Sequence, residues 1–164
     1  MLELRSVESA VAALSEGPHR PVWAEVDLDA ISHNVKVIKQ QLSLDTMLMV
    51  VVKANGYGHG AVPVAQAALH HGAQWLGVAI VEEGINLREA GITAPVLILG
   101  APPKWQASLV VEHDLRVAVC TWGLAKALSA AAKQRGVKAH VHVKLDTGMG
   151  RLGILPEAAL EVIT

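Results

Sequence analysis

Short apolar runs, each closed by glycine, proline or polar residues, alternate along this chain with stretches whose apolar residues recur at helical spacing. The runs are Met47 to Lys53, Trp75 to Val81, Pro95 to Leu99, Leu115 to Cys120 and Lys138 to Leu145. Most lack the apolar–polar alternation of a half-solvated sheet, so they read as strands buried on both faces, the condition of a parallel sheet. Parallel neighbours need a crossover, and the segments Pro63 to Leu69, Glu82 to Ala90, Trp105 to Glu112 and Leu124 to Arg135 read as the helices that supply it. One strand in roughly every 20 to 30 residues is the rhythm of right-handed βα units. That rhythm builds either an open doubly wound sheet or a (β/α)8 barrel.

Local signals refine the outline. Val22 to Leu28 alternates as a strand, and Asp27 or Asp29 can cap a following helix whose apolar face is Ile31, Val35, Ile38 and Leu42. Gly72 and Gly91 stand where helices should end, and Pro102 with Pro103 marks a turn. Pro156 to Thr164 starts an amphipathic helix with Leu160 and Ile163 inward and no stop signal, as though the chain ended within an element. Residues 1–21 read as an extension, 22–45 as the first strand and helix, and 46–164 as a domain of repeated βα units. If those units form a barrel it is a partial one, and an unclosed barrel would expose strand edges and apolar surface, so low stability or self-association is then expected.

Composition excludes several classes. A net charge of -1 offers no electrostatic footprint for nucleic acid or an acidic membrane. Although 52% of the residues are hydrophobic, no uninterrupted run approaches the roughly 18 residues of a membrane span. Cys120 is the sole cysteine, which precludes an internal disulfide. Glu3, Arg5, Glu8 and Glu16 interrupt any apolar core of a secretory signal, and a cytoplasmic location is expected.

The chemistry concentrates at Lys53, which closes an apolar strand and precedes the turn Ala54-Asn55-Gly56-Tyr57-Gly58-His59-Gly60. Partial burial disfavours the ammonium form and leaves a nucleophilic amine able to form a Schiff base. The glycines allow close approach, and the turn's backbone N–H groups could cradle an anion such as phosphate. Lysine and phosphate cradle together suggest pyridoxal phosphate. Against this stands the plain alternative of a surface lysine covering a strand end. Tyr57 is the only tyrosine, either a phosphate ligand or a locally bonded tip, and His59 suits local hydrogen bonding.

The segment Val51-Val52-Lys53-Ala54-Asn55-Gly56-Tyr57-Gly58-His59-Gly60 resembles the cofactor-lysine motif of bacterial alanine racemases, which are fold type III pyridoxal phosphate enzymes. Trp23-Ala24-Glu25-Val26-Asp27-Leu28-Asp29-Ala30-Ile31 resembles that family's N-terminal signature, and Lys144-Leu145-Asp146-Thr147-Gly148-Met149-Gly150-Arg151-Leu152-Gly153 its substrate-carboxylate segment. The resemblance decides for a (β/α)8 TIM-type barrel, truncated here to about the first five βα units. It assigns the Val22 to Leu28 strand to the C-terminal β-domain. It implies a homodimeric, cytoplasmic enzyme that interconverts L- and D-alanine and so supplies D-alanine for peptidoglycan. Lys53 would be the Schiff-base lysine and one of two acid/base groups, with Tyr57 on the cofactor phosphate. The opposite base, a tyrosine of the partner's β-domain, and the arginine at the pyridine nitrogen would lie beyond residue 164, so this fragment could be inactive alone.

Alternation along Lys138 to Leu145 puts His140, His142 and Lys144 on one face, which should look into the barrel. Lys144 beside Arg151 would bury two cations, a cost that carbamylation of Lys144 would remove. The family carries such a modified lysine at the matching position. Arg151 would then turn its planar fork to the substrate carboxylate, whereas the plain alternative is an Arg151–Asp146 ion pair. Gly148 to Gly153 matches a dinucleotide fingerprint, but the βαβ context is missing. Asp146-Thr147-Gly148 matches an aspartic-protease triplet in the wrong fold class. Three other functions remain open: a non-catalytic cofactor-carrying barrel, a racemase of broader specificity, and a metal hydrolase using His140, His142 and Lys144.

Overall fold

The computed structural model describes residues 24–163; the 1–21 extension lies outside them. Helix α1, Leu28–Gln41, begins where the Asp27 carboxylate accepts the N–H groups of Asp29 and Ala30 at 2.8 and 3.0 Å, so Asp27 is the cap. The chain continues through β1 (Met49–Val51), α2 (Ala61–His70), β2 (Trp75–Val78), α3 (Val81–Glu89) and β3 (Val96–Ile98). Then follow a 3-10 turn (Lys104–Gln106), α4 (Ala107–Glu112), β4 (Arg116–Val119), α5 (Trp122–Arg135), β5 (Val141–Val143) and α6 (Pro156–Ile163).

The described strands form one parallel sheet in the order β1-β2-β3-β4-β5, with Met49 beside Trp75, Leu76 beside Val96, Leu97 beside Arg116 and Ala118 beside His142. Period-two alternation sends Leu76, Val78, Val96, Ile98, Val117 and Val119 to the helix side, where they form the core with Val64, Val81, Leu87, Val110, Leu124 and Leu128. The other face is concave. Strands β2 and β5 are separated by two others, a span of roughly 14 Å in a flat sheet. The rings of Trp75 and His142 nevertheless meet edge to face at 5.7 Å, and the Arg116 guanidinium lies 4.9 Å over Trp75. Only a strongly curved sheet brings inward side chains of β2, β4 and β5 together, which is barrel geometry rather than an open sheet.

Four expectations are corrected. No strand forms over the described part of Val22 to Leu28: residues 24–27 are unpaired and Leu28 already belongs to α1, because a strand needs a neighbour and none is offered here. Ile38 is exposed, and Ser32 takes the buried position, its hydroxyl donating to the Leu28 carbonyl at 2.8 Å. Leu160 is exposed while Ala159 is buried, so α6 turns a different face to the barrel; the Ile163 side chain lies outside the described residues. Finally, strands are shorter than their apolar runs. Ile80 and Val81 already form the N-terminus of α3, and only Val141–Val143 of the last run pairs as strand.

The last strand is poorly covered. Val141 and Val143 are 46% and 45% exposed, and an apolar groove of about 380 Å³ runs beside them along Leu128, Ala132 and Val137.

Candidate active site

Strand order brings the chemistry-bearing residues to one end of the barrel, since Lys53 follows β1 and Lys144 follows β5, both at carboxyl ends. Lys53 is half-buried, and its Nζ lies 5.8 Å from the centre of the Tyr57 ring. Tyr57 is itself 59% exposed, leaving its hydroxyl accessible.

Between these two side chains the backbone makes a left-handed turn. Ala54, Asn55, Gly56 and Tyr57 all have φ between +51° and +64°. Left-handed geometry costs an L-residue about 1–2 kcal/mol, and three of the four consecutive residues that adopt it here are not glycine. Hydrogen bonds hold it. The Gly56 N–H donates to Val52 O at 2.8 Å, Gly58 to Ala54 O at 3.0 Å, and Gly60 to Asn55 O at 2.8 Å. The Asn55 side chain accepts the Ala61 N–H at 2.9 Å, fastening the turn to the start of α2. Gly56 is required twice over, by its φ of +64° and because a Cβ there would sit 3.3 Å from the Ala61 nitrogen.

These bonds narrow one expectation. The amides of Ala54, Gly56, Gly58, His59, Gly60 and Ala61 all have acceptors within the protein, so these six are not offered to a phosphate. His59 does what its position suggested, its Nδ1 lying 3.1 Å from the carbonyls of both Gly56 and Tyr57.

Glu83 was not legible as a site residue. One carboxylate oxygen accepts the Ala54 N–H at 2.6 Å, and the other accepts those of Ala79 and Ile80 at 2.7 and 3.3 Å. The available signal was an acidic residue three positions into a helix, which reaches back to the N-cap amide.

The β5 side is built differently. Lys144, half-buried, donates its backbone N–H to Val119 O at 2.9 Å and accepts from Ile154 at 2.8 Å, while Asp146 N donates to Ile154 O at 2.8 Å. The loop thus closes on itself. Its centre is the Asp146 carboxylate, which takes the N–H groups of Gly150 and Gly148 at 2.9 and 3.1 Å. Those amides, Gly150 foremost, hold the carboxyl below its usual range, with smaller help from Met149 and the Lys144 charge against a weak opposing effect of burial. Gly153 closes the loop with φ of +141°, and a Cβ there would lie 2.5 Å from the Asp146 nitrogen.

Asp146 is therefore engaged with backbone and makes no ion pair with Arg151. Arg151 is exposed, which removes the premise that it and Lys144 form two buried cations. His142 meets Trp75 inside the barrel, and among the described residues no three His, Cys, Asp or Glu side chains cluster as a metal site would require. Nor is any described helix long and apolar enough to cross a membrane.

Comparison with known proteins resolves the lineage. Residues 26–164 match the family model described as alanine racemase, N-terminal domain. The chain belongs to the alanine racemase family. It is 54% identical over 137 residues to the alanine racemase of Symbiobacterium thermophilum, covering 84% of this chain and 36% of the relative. With that of Desulfovibrio desulfuricans it shares 51% over 140 residues, covering 85% and 38%. Among solved structures, alanine racemase from Clostridium difficile 630 superposes with a TM-score of 0.84 at 39% identity, covering 90% of this chain and 39% of that one. The Bacillus anthracis alanine racemase with bound L-Ala-P gives 0.78 at 40%, covering 89% and 38%. The chain therefore spans under two-fifths of the length of these relatives, and its five strands are the N-terminal part of their TIM-type barrel.

Proposed function

We propose that this chain carries the cofactor-lysine side of an alanine racemase active site, where the Cα proton of L- or D-alanine is removed and returned. The supporting observation is Lys53 itself, half-buried at a barrel strand's carboxyl end, with its amine beside the Tyr57 ring on a turn fixed by tertiary bonds. The donor set suits pyridoxal phosphate in part: an amine and a phenol converge, while six of the turn's amides already have acceptors within the protein. The phosphate donors other than Tyr57 are accordingly expected from later barrel loops, where such folds commonly hold phosphate.

Pyridoxal phosphate, when bound, supplies the electron sink that makes the substrate Cα acidic. Lys53 holds and moves the proton on one face of that carbon. Arg151, exposed and without an ion pair among the described residues, would present two parallel N–H donors to the substrate carboxylate. Lys144, as a carbamate, would give that guanidinium an anionic neighbour. By the family resemblance, the base for the opposite face comes from the length of the relatives outside this match. The relatives' name, alanine racemase, and the L-Ala-P bound to the Bacillus anthracis protein support alanine as the substrate. A homodimeric, cytoplasmic supplier of D-alanine for peptidoglycan is the setting that reading implies. The groove beside β5 further leads us to expect self-association in the isolated chain; a clean monomer on sizing with a sharp melt would contradict it.

Borohydride reduction of the cofactor-treated chain followed by peptide mapping tests the assignment. A pyridoxyl group on Lys53 is the expected result, and labelling of Lys144 or of scattered surface lysines would overturn it.

A further inference from the structure

We infer that Glu83 is a positioning residue for Lys53, acting through the peptide that joins Lys53 to Ala54. This rests on the reading of Lys53 as the cofactor lysine, and extends it to a residue that touches neither cofactor nor substrate. The Ala54 N–H belongs to that peptide, and its 2.6 Å bond to a carboxylate is short and charge-assisted. Fixing that peptide plane fixes the direction in which the Lys53 side chain leaves the strand. Ala54 is also the first residue of the left-handed turn, with φ of +51°, so the bond secures the backbone where its intrinsic preference is weakest.

The other carboxylate oxygen joins the turn to the end of β2 through Ala79 and Ile80. Glu83 therefore ties two adjacent barrel loops into one rigid unit, across 29 residues of sequence. Gly100 reinforces the arrangement, because a Cβ there would collide with the Ala79 carbonyl oxygen. Only a carboxylate can serve three N–H donors from both ends. Glutamine offers one acceptor oxygen, and its amide group would turn donors toward donors on the other side. Neighbouring Glu82 accepts instead from Gln106 at 2.6 Å and has no bond to the turn, which makes it the natural control.

The test compares the chain with Glu83→Gln and Glu82→Gln, all well below their melting temperatures. Two readouts are taken: apparent affinity for pyridoxal phosphate, from the Lys53-dependent absorption band, and hydrogen exchange of the Ala54 and Ala79 amides. Glu83→Gln is expected to weaken cofactor affinity on the order of tenfold, as displacement of a reacting group does. It should also speed exchange at one of the two amides, while Glu82→Gln changes neither. Faster exchange with cofactor affinity within twofold of the original would overturn the inference, leaving Glu83 a purely structural cap. If Glu83→Gln does not fold, the original chain decides. An Ala54 amide strongly protected before cofactor is added, and unchanged after, supports a preformed tie, whereas exchange at the rate of exposed coil refutes it. A chain with no Lys53-dependent band at all would count against the cofactor reading, and the exchange data would still judge the tie.

Discussion

The turn after β1 and the loop after β5 stand at the same end of the barrel and achieve order by different means. The Lys53 turn adds to its own backbone bonds two ties from outside, Glu83 of α3 and the start of α2, and it carries three non-glycine residues in left-handed geometry. The Lys144 to Ile154 loop holds itself, with one aspartate gathering its own glycine amides and glycines at the positive-φ positions. Strain is thus concentrated beside Lys53 and absent beside Arg151. In the proposed role Lys53 would benefit from a single fixed direction, because misplacement of a reacting group by about 1 Å costs on the order of a hundredfold in rate.

The contrast can be broken at defined points. Gly153→Ala should have the largest effect, since it combines φ of +141° with a Cβ 2.5 Å from the Asp146 backbone. We expect about 3 kcal/mol of destabilisation confined to the β5 loop, read as faster exchange at Asp146 and Ile154 with protection at Ala54 unchanged. Gly56→Ala follows, at about 1–2 kcal/mol for the left-handed conformation. Its signature is the reverse, with weaker cofactor binding and an undisturbed β5 loop; equal loosening of both regions would show that they are not independent.

Acid should loosen the β5 loop, and gently. The Asp146 carboxyl is held below its unfolded value, so its bonds to Gly150 and Gly148 contribute order that is fully present above the ordinary carboxylate range. That contribution is lost as pH falls through the depressed folded value. Amide shifts of Gly148 and Gly150 that move in strong acid are the expected observation. Movement near neutral pH would contradict the assigned cause.

What could be read from sequence was what local pattern determines. Five strands, their parallel pairing, the Asp27 cap and the placement of Lys53 at a strand end follow from apolar runs and punctuation. The Val22 to Leu28 strand could not be settled that way, because strand formation depends on a neighbour rather than on alternation. That most amides of the expected cradle are engaged escaped the sequence for a subtler reason. Ala54 and Tyr57 have no preference for left-handed geometry, so nothing in their identity announces a turn that consumes its own N–H groups. Glu83 was invisible because its partner Ala54 contributes only backbone. The Arg151–Asp146 pair was misjudged because glycine amides compete for the same carboxylate, and they sit closer along the chain.

The central claim is that Lys53 is the covalent anchor for pyridoxal phosphate. Its most direct test is the absorption spectrum of the purified chain after cofactor addition and exhaustive dialysis, beside Lys53→Ala. A retained band near about 420 nm, lost in the variant, is the predicted result. A folded chain that shows no such band, or a variant that keeps it, would contradict the account.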